Sequence, residues 1–472
     1  MITQAPLNPH TIAQRNTIVA GLSALVPDII SAPDLLRPYE SDGLAIYRQV
    51  PLAVVLPHTT GQVAAVLRYC RDHQVRVVPR GAGTSLSGGA LPMADAIVIG
   101  LARLNRILEV NLSDRYAVVQ AGVTNLAITD RVKPDGFFYA PDPSSQLACM
   151  IGGNVAMNSG GAHCLKYGVT SNNLLGLKIV TIDGEILEIG GPYVDAPGYD
   201  YLGLLTGSEG MLAITTEVTV RLLASPEGAR AMLAGFSSSA DAGACVAAII
   251  AAGVIPVALE FMDRPAIHAC EAFAGAGYPM DAEAMLIIEV EGGDAEIDRD
   301  LIFIAEICRR FRSTSITIAQ NEAQSAAIWK GRKSAFGAVG RISDDYFCMD
   351  GVIPTSRLAE TLVRIAQLAA VKNLAVCNVF HAGDGNLHPL IMFDANNAAS
   401  LQRAETLGAE ILKLCVDMGG CLTGEHGVGI EKRDLMRVQF SDSELAQQRR
   451  IKSVFDPGWL LNPSKVFPLV DA

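Results

Sequence analysis

Two periodicities of hydrophobic and polar positions alternate along the first hundred residues. Residues 52–57 (LAVVLP) form a continuous apolar run of strand length, and residues 75–79 (VRVVP) form a second, interrupted only by Arg76. Between them, apolar residues recur at helical spacing from 63 to 70, and Thr59 with Gln62 three positions later forms a capping box. This pattern predicts a strand, a helix and a second strand in one β-α-β unit.

Shorter strand-like runs follow this unit. Three of them occupy residues 96–99, 106–110 and 116–122. A fourth segment, 177–190 (LKIVTIDGEILEIG), holds two apolar runs around Asp183-Gly184. Asp-Gly is a strong hairpin signal, because a type I′ turn requires positive φ at both central residues. The pattern predicts a first domain, residues 1–224, that is rich in short strands.

One uncharged apolar stretch, residues 242–259, has to be weighed as a membrane span. It contains Gly253 and Pro256, and much of its apolar character comes from alanine. A spanning helix needs about 20 continuous apolar residues. The stretch instead predicts a buried helix to about Ala252, a turn and a short strand.

The composition of the chain changes near residues 224–230 (ASPEGAR). From there, helix-like and strand-like runs alternate, which predicts a second, α+β domain over residues 225–415. The remaining segment, 416–472, is predicted to pack back on the first domain. The fold class predicted for the whole chain is α+β.

Composition and charge exclude several classes of protein. The chain has 472 residues, of which 50% are hydrophobic and 18% are charged, so it is globular and long enough for two or three domains. The net charge is −12 and no long basic block opposes it. Nucleic acid and anionic membrane surfaces are therefore excluded as main partners.

The ten cysteines indicate a reducing compartment. They are scattered from Cys70 to Cys421, and none belongs to a Cys-x-x-Cys pair, so iron–sulfur and structural zinc spacings are absent from the sequence. The first residues lack a basic region followed by an apolar one. These features predict a cytoplasmic protein with reduced thiols.

Residues 380–389 (FHAGDGNLHP) place two of the eight histidines seven positions apart. If Asp384-Gly385 is a type I′ turn, His381 faces His388 directly, with Cβ atoms about 5 Å apart. That separation suits two imidazoles on one metal ion. A structural pair of histidines flanking a turn is the alternative, and these ten residues leave both open.

Three glycine-rich segments lie in the first domain: 79–89 (PRGAGTSLSGG), 141–163 and 206–210 (TGSEG). The first directly follows a predicted strand, where glycine lets backbone N–H groups approach an anion. It matches neither the Walker loop nor the Rossmann fingerprint. A structural loop explains one such segment equally well, but three together indicate a long ligand with a central diphosphate.

Four of these motifs, taken together, resemble the FAD-linked oxidases of the vanillyl-alcohol oxidase type. The motifs are Arg80-Gly-Ala-Gly-Thr-Ser, Ile151-Gly-Gly-Asn154, Gly207-Ser-Glu-Gly210 and Leu461-Asn-Pro463. The second half is similar to the D-2-hydroxy-acid dehydrogenase branch, which also carries His-Ala-Gly-Asp-Gly-Asn-Leu-His and Gly-Glu-His-Gly. The resemblance covers roughly residues 35–468. It implies a two-subdomain FAD-binding fold, a ferredoxin-like α+β cap domain and a C-terminal segment that returns to the FAD domain.

The resemblance also implies which residues bind FAD. Many relatives attach FAD covalently through a histidine in the first glycine segment, where this chain has Thr84, so non-covalent FAD is expected. The implied cofactor-binding residues are Arg80, Gly81, Ala82, Gly83, Thr84, Ser85, Gly88, Pro141, Asp142, Ser144, Ser145, Gly152, Gly153, Asn154, Ser159, Gly161, Glu209, Gly210, Ile214 and Asn462.

With the family in view, Glu425-His426 gains a chemical role. In an extended segment neighbouring side chains point to opposite sides, so Glu425 is expected to join His381 and His388 on a divalent metal while His426 turns elsewhere. The metal, zinc, manganese or iron, would act as a Lewis acid on a substrate hydroxyl. His426 is the expected base. A polar surface pair is the alternative, and Asp384 is expected to be structural.

Arg332 is expected to bind the substrate carboxylate. A guanidinium grips a carboxylate with two parallel hydrogen bonds, and the match to the family motif falls on this residue. Lys333 is the second candidate. The alternative reading is a solvated charge on a helix.

The favoured function is FAD-dependent oxidation of glycolate or D-lactate to the 2-oxo acid, with D-2-hydroxyglutarate as the alternative substrate. The resemblance implies iron–sulfur and second flavin subunits as partners, a quinone or cytochrome as the eventual acceptor, and peripheral contact with the inner membrane through that complex. Two other classes stay open: a metallohydrolase using His381, His388 and Glu425, and an inactive flavin-binding assembly subunit.

Overall fold

The computed structural model describes residues 6–193 and 198–469, and short strands and helices alternate through this range. In chain order the strands are β1 (Ile29–Ile30), β2 (Ala53–Val55), β3 (Arg76–Arg80), β4 (Ala96–Gly100), β5 (Ile107–Asn111), β6 (Tyr116–Gln120), β7 (Phe137–Phe138), β8 (Leu174–Val180), β9 (Ile186–Gly190), β10 (Ile214–Arg221), β11 (Leu223–Ala224), β12 (Gly228–Phe236), β13 (Ala258–Asp263), β14 (Ala284–Gly292), β15 (Ser313–Ile318), β16 (Asp345–Cys348), β17 (Gly351–Val352), β18 (Val376–His381), β19 (Asn386–Leu387) and β20 (Pro389–Phe393).

The α-helices occupy most of the connections between these strands. In chain order they are α1 (Pro9–Ala13), α2 (Arg15–Ser23), α3 (Pro33–Leu36), α4 (Thr60–Asp72), α5 (Asn125–Val132), α6 (Ile151–Met157), α7 (Cys164–Tyr167), α8 (Tyr201–Leu205), α9 (Ser239–Ala251), α10 (Arg264–Ala274), α11 (Asp294–Arg310), α12 (Glu322–Lys333), α13 (Ala335–Val339), α14 (Leu358–Lys372), α15 (Ala398–Asp417), α16 (Met436–Gln439) and α17 (Asp442–Phe455).

The chain divides into two compact units. The first unit comprises Met1–Gly160, Val169–Ser225 and Glu425–Ala472, and the second comprises Gly161–Gly168 and Pro226–Gly424. The second unit thus includes eight residues, 161–168, that lie within the predicted first domain, 1–224. We call these eight residues the excursion. The second unit also keeps residues 416–424, so the return of the chain to the first unit begins at Glu425 and not at residue 416.

The first unit holds two main sheets. One has the order β1-β2-β4-β3, in which β2, β4 and β3 run parallel and β1 is antiparallel. The other is antiparallel with the order β5-β6-β10-β8-β9, and its β8–β9 pair is the hairpin predicted around Asp183-Gly184. The predicted β-α-β unit is confirmed, since α4 joins the parallel strands β2 and β3 of the first sheet.

Helix α4 forms where the pattern places it. Thr59 caps its first turn by accepting a hydrogen bond from the Gln62 backbone N–H at 3.2 Å, while the Gln62 side chain accepts from the His58 N–H at 2.7 Å. The apolar stripe between residues 63 and 70 is fully buried in a core shared with β2, β3 and β4. Leu461 of the C-terminal segment joins this core and forms a parallel bridge with Val77.

The second unit is built on an antiparallel sheet with the order β15-β12-β14-β13-β18-β19-β17, and β20 pairs with both β18 and β16. The uncharged stretch 242–259 falls on α9, a turn and the start of β13, which confirms the predicted helix and strand. Within residues 6–193 and 198–469, no helix combines the length and the apolar character needed to cross a membrane.

Candidate functional site

The loop between His381 and His388 differs from the predicted two-residue turn. His381 faces Asn386 and Asn378 faces Pro389, so the loop contains four residues, 382–385. Gly385 adopts φ 78°, but Asp384 has no positive φ, which rules out type I′. Asp384 instead accepts a hydrogen bond from the Asn386 N–H at 3.0 Å, in agreement with its expected structural role. The prediction that His381 faces His388 directly is wrong.

The two imidazoles nevertheless lie together. In the observed register His388 is displaced by two residues from the position opposite His381, so the two side chains are diagonal neighbours on one face of the sheet. Their ring centroids are 5.2 Å apart, with an interplanar angle of 87°. The side chains are nearly buried, with residue exposures of 5% and 3%. The two rings are therefore as close as the predicted direct pairing required, although the residues are diagonal to each other.

Each imidazole is oriented through its Nδ1 atom. His381 Nδ1 lies 2.7 Å from Glu260 Oε1, and His388 Nδ1 lies 3.1 Å from the Met349 carbonyl oxygen. Both partners only accept hydrogen bonds, so each Nδ1 carries the proton and each neutral ring has its lone pair on Nε2. This arrangement, with an acceptor behind each histidine, is typical of metal ligands. The donor set therefore fits a divalent metal.

Arg332 lies at the end of α12 and is 5% exposed, so it is not a solvated helix charge. Its Nη2 and Nε atoms lie 2.7 and 2.9 Å from Glu260 Oε2. Burial alone would raise the pKa of Glu260, but the electrostatic attraction and the hydrogen bonds that His381 and Arg332 supply outweigh it and lower that pKa. Lys333, the second candidate, is exposed and lies over the Trp329 ring.

Glu260 is a residue that the sequence reasoning missed. It is fully buried on β13, in the middle of the sheet, and it contacts one expected metal ligand and the expected carboxylate-binding arginine. The signal was present, because a single glutamate interrupts the apolar run VIPVALEFM. A charge inside a buried strand requires a partner.

Glu425 and His426 belong to the first unit. Residues 424–426 form a bend, so the extended segment expected for this pair is not observed. The Glu425 carboxylate packs against Gly160, where an added Cβ would lie 2.8 Å from Oε2. The His426 carbonyl oxygen accepts a hydrogen bond from Ser87 Oγ at 3.0 Å. The predicted metal set is thus divided, with His381 and His388 in the second unit and Glu425 in the first.

The first glycine-rich segment forms a half-exposed loop after β3. Within it, the backbone N–H groups of residues 81–86 have no acceptor in the described parts of the chain. Gly83, with φ 75°, turns the backbone in the middle of this run. Successive N–H donors in such a turn form a concave anion site, and the side chains there are too small to block it. The loop therefore fits the diphosphate of FAD.

The first and third glycine-rich segments and residues 141–160 of the second meet inside the first unit. The N–H groups of Gly207 and Glu209 each donate at 2.8 Å to α6, at the carbonyls of Val155 and Ala156. Asn462 Nδ2 donates to the carbonyl oxygens of Gly89 and Glu209, at 3.1 and 2.7 Å. The C-terminal segment thereby joins the first and third glycine-rich segments.

Several side chains predicted to bind the cofactor are engaged with protein instead. Arg80 donates to the carbonyl oxygens of Ser41 and Pro38, at 2.6 and 3.4 Å. Asn154 is buried against Asn125 and Cys149, and Ile214 lies in the core. These contacts hold the loops in shape, and cofactor binding at the three positions stays a prediction.

The Glu209 side chain is likewise hydrogen-bonded to the protein backbone. Its two carboxylate oxygens accept hydrogen bonds from the N–H groups of Val428 and Gly429, at 2.6 and 2.8 Å. Burial raises the pKa of this carboxyl group, although the two N–H donors oppose the shift. Glu209 therefore fixes the backbone directly after His426.

The other predicted cofactor residues lie in the first unit, with one exception. Gly152 and Gly153 open α6, Gly210 precedes β10, and the 141–145 segment leads toward α6. Ser159 follows α6 and accepts from Thr170 through its carbonyl oxygen. Gly161 is the exception, since it starts the excursion into the second unit.

Sequence reasoning also missed two residues that shape the His426 segment. Ser87 accepts hydrogen bonds from the Ile430 and Glu431 N–H groups through its carbonyl oxygen, at 3.0 and 3.1 Å. Lys432 is fully buried and donates to the Gly427 carbonyl at 2.9 Å. Sequence offers no strong signal for such contacts, because the partners are more than 330 residues from Ser87.

Comparison with known proteins places this geometry in context. Residues 225–466 match the family profile described as FAD linked oxidases, C-terminal domain, and residues 51–190 match the FAD binding domain profile. The chain is 51% identical over 456 residues to the glycolate oxidase subunit GlcD of Escherichia coli (strain K12), covering 96% of this chain and 91% of that protein. It is 38% identical over 430 residues to the same-named subunit of Bacillus subtilis (strain 168), covering 91% and 92%.

Solved structures show a shared fold. The 4-ethylphenol oxidase from Gulosibacter chungangensis superposes with a TM-score of 0.82 at 17% identity, covering 98% of this chain and 99% of that one. Identity this low carries information on the fold alone. The predicted α+β architecture of an FAD-binding domain with a second domain is confirmed.

Proposed function

The chain belongs to the FAD-linked oxidases, and we propose that it oxidises a small 2-hydroxy acid, glycolate or D-lactate, to the 2-oxo acid. The observation that carries this proposal is the buried pair His381 and His388 beside Arg332, in the unit that matches the oxidase profile. A 2-hydroxy acid presents a hydroxyl and a carboxylate on neighbouring carbons. A metal-binding pair and a guanidinium are the groups that recognise those two functions.

FAD supplies the hydride acceptor when bound, and the first unit is expected to hold it without a covalent bond. The N–H groups of residues 81–86 would bind its diphosphate. Thr84 stands where a histidine attaches the flavin in many relatives. The protein's part is to fix the isoalloxazine ring and to exclude water around it.

A divalent metal, zinc, manganese or iron, is proposed on Nε2 of His381 and His388, with Glu425 as the third ligand. Chain connectivity supports Glu425, because Gly424 belongs to the second unit and its N–H donates to Asp350 Oδ2 at 3.0 Å. Gly424 also packs on the amide of Asn386, on β19 between the two histidines. Glu425 is one peptide unit further on, and a metal there would lower the pKa of the substrate hydroxyl.

His426 is the proposed base for the hydroxyl proton. Ser87 donates to the carbonyl oxygen of His426, and Glu209 holds the backbone two and three residues further on. A fixed backbone limits the positions that the imidazole reaches, which is what a general base requires. Replacing His426 by Asn should leave FAD bound and remove turnover, and unchanged turnover would assign this chain to an inactive assembly role.

Arg332 is the proposed partner of the substrate carboxylate. Glu260 occupies its Nε edge, and a guanidinium has five N–H donors, so its Nη1 side offers two more. Lys330, Lys333 and Arg341, the other cations near this helix, are all exposed. A second buried cation for a longer diacid is thus missing among the described residues of this region, which favours glycolate or D-lactate over D-2-hydroxyglutarate.

The proposed acceptor lies outside this chain. No iron–sulfur spacing occurs in the sequence, so electrons would leave through partner subunits, one with iron–sulfur clusters and one with a second flavin, to a quinone or cytochrome. No disulfide joins any of the ten cysteines, all of which lie in the described residues, and a cytoplasmic location is proposed for the chain. Contact with the inner membrane would come only through that complex.

A screen of glycolate, D-lactate and D-2-hydroxyglutarate with an artificial electron acceptor tests the proposal. Glycolate or D-lactate should give turnover and D-2-hydroxyglutarate should give little. A folded, colourless preparation that fails to take up FAD would favour the metallohydrolase alternative and contradict the oxidase. Preferred oxidation of D-2-hydroxyglutarate would contradict the substrate assignment only.

A further inference from the structure

Glu260 lies at the centre of a buried polar cluster in the second unit. It occupies the middle of β13, with β14 on one side and β18 on the other, and it is 0% exposed. In the sheet register Glu260 stands directly opposite His381, so the two side chains share one face. A carboxylate buried in the middle of a sheet is costly unless it is fully paired.

The partners of this carboxylate are three donors from two residues. Oε1 accepts from His381 Nδ1 at 2.7 Å, and Oε2 accepts from Arg332 Nε and Nη2 at 2.9 and 2.7 Å. No other partner of Glu260 is found in the described residues. One side chain therefore holds a residue of β18 and a residue of α12, which are 49 positions apart in the chain.

The two oxygens of one carboxylate fix the geometry between these residues. Glu260 determines which edge of the His381 ring carries the proton, and so which nitrogen faces a metal. It also determines how the Arg332 guanidinium is rotated, because both N–H groups of one edge are engaged. The separation between the His381 lone pair and the remaining Arg332 donors follows from these two constraints.

We propose that Glu260 is a positioning residue that sets the metal histidine and the carboxylate-binding arginine at the separation a 2-hydroxy acid requires. This inference rests on the proposed function of His381 and Arg332. The hydroxyl and carboxylate of such a substrate are attached to adjacent carbons, so their oxygens have little freedom of separation. A single rigid carboxylate behind both recognition groups matches that constraint.

The test compares Glu260→Gln and Glu260→Asp in the full chain loaded with FAD. Glutamine offers one acceptor oxygen and places an N–H₂ group against the other donor, so one of the two partners loses its contact. Aspartate keeps the charge but is one methylene shorter. Both variants should weaken Zn²⁺ binding about 10- to 100-fold and raise the KM for glycolate by about tenfold or more, with bound FAD unchanged.

Asp263→Asn is the matched control. Asp263 is a mostly buried carboxylate on the same strand, and it accepts hydrogen bonds from Asn378 and Ala266 but not from His381 or Arg332. Its replacement should leave Zn²⁺ affinity and KM within about twofold of the wild-type values. Zn²⁺ affinity is measured by competition with a chromogenic chelator, independently of turnover.

Folded Glu260→Gln and Glu260→Asp proteins with wild-type Zn²⁺ affinity and KM would overturn the proposal. Loss of folding in both would assign Glu260 to the stability of the sheet and would also overturn it. A wild-type protein that neither binds Zn²⁺ nor reduces its flavin with glycolate is a different outcome, because it removes the proposed function itself.

Discussion

Buried polar residues in this protein mostly hold backbone segments and one another in place. Arg80, Asn154 and Glu209 lie in the motifs that indicate FAD, yet their side chains bond to the protein itself. Such bonds are worth about 1–3 kcal/mol when one partner is charged and buried. We expect these residues to serve the cofactor mainly through the loop shapes that they enforce.

Glu209 gives a direct test of this structural role. Glu209→Ala removes the acceptor of two buried N–H groups, at Val428 and Gly429, and should lower the free energy of unfolding by about 3 kcal/mol. Glu209→Gln keeps one acceptor and should lose less, with FAD still bound. Urea denaturation measures both. Glu217→Ala on β10 is the control, because Glu217 pairs with Lys178, which is only partly buried. This change should lower the free energy of unfolding by about 1 kcal/mol or less. An equal loss of unfolding free energy in Glu209→Ala and Glu217→Ala would contradict the structural role of Glu209.

The buried carboxyl group of Asp263 should make the stability of the protein depend on pH. Burial raises its pKa to about 6 from the ordinary value of 3.8. The folded protein therefore binds more protons than the unfolded chain between these values, so this group's contribution to stability falls as pH rises from about 4 to 6. Relative to Asp263→Asn, the wild-type protein should lose up to about 3 kcal/mol of unfolding free energy across this window. Parallel denaturation curves at pH 4 and pH 6 would show that the carboxyl group has an ordinary pKa.

Sequence points to individual residues most clearly where a residue type carries the chemistry. His381 and His388 stand out because histidine is rare in this chain and few side chains bind metals as well. Glu260 and Ser87 do not stand out in this way. Their roles depend on partners 72 or more residues away, and pairing at that distance is set by the tertiary fold.

At the scale of elements, the loop between β18 and β19 shows what local turn rules miss. The Asp384-Gly385 pair satisfies the hairpin rule, but the chain uses a four-residue loop whose Gly385 carbonyl accepts from the Ile353 N–H at 3.0 Å. This contact with a third segment outweighs the local turn preference. The two histidines meet as diagonal neighbours, so the proposed metal pair does not depend on the predicted register.

Gly385 tests the importance of this loop for the histidine pair. A Cβ there would overlap the Ile353 carbonyl oxygen, and φ is 78°. Gly385→Ala should destabilise the protein by more than about 2 kcal/mol and weaken Zn²⁺ binding. Thermal unfolding and chelator competition are the measurements.

Gly419→Ala is the matched control for this change. Gly419 has a similar φ of 86°, but nothing lies within 4 Å of an added Cβ. It should cost only about 1 kcal/mol and leave Zn²⁺ affinity unchanged. Equal effects at the two glycines would show that backbone strain alone, and not the loop contact, is responsible.

Periodicity predicts most other elements well. The stripe of α4 and the hairpin around Asp183-Gly184 are local properties of the sequence, and both are observed. Helix α6 was harder to predict, since Gly152 and Gly153 disfavour a helix. Gly152 is tolerated because a Cβ there would lie 2.7 Å from the Ala121 side chain, so close packing against the chain beyond β6 requires glycine.

At the scale of the whole molecule, the residues proposed for the two cofactors mostly belong to different units. The loops proposed to bind FAD lie in the first unit, and the proposed metal ligands His381 and His388 lie in the second. Removal of the metal should therefore stop turnover without releasing FAD. Dialysis against a chelator, followed by a visible spectrum and an assay with added Zn²⁺ or Mn²⁺, measures this. Release of FAD in step with the metal would contradict independent binding.

The composition change near residue 225 locates one junction between the units. The excursion of residues 161–168 has no such signal, because it is short and resembles its surroundings in composition. Its contacts explain its placement: Lys166 bonds to Glu291 at 2.8 Å, and His163 lies 3.3 Å from Glu289, both glutamates being on β14. Pairing between a short segment and a strand more than 120 residues away is not encoded in local sequence.

The most direct test of the proposed function is anaerobic mixing of the purified, FAD-loaded protein with glycolate or D-lactate while the visible flavin spectrum is recorded. The wild-type protein should lose its oxidised flavin absorbance. His388→Ala should keep its FAD, lose bound metal and show no such change. A wild-type flavin that stays oxidised in the presence of both acids, or a His388→Ala protein that is reduced as fast as the wild type, would contradict metal-assisted oxidation of a 2-hydroxy acid.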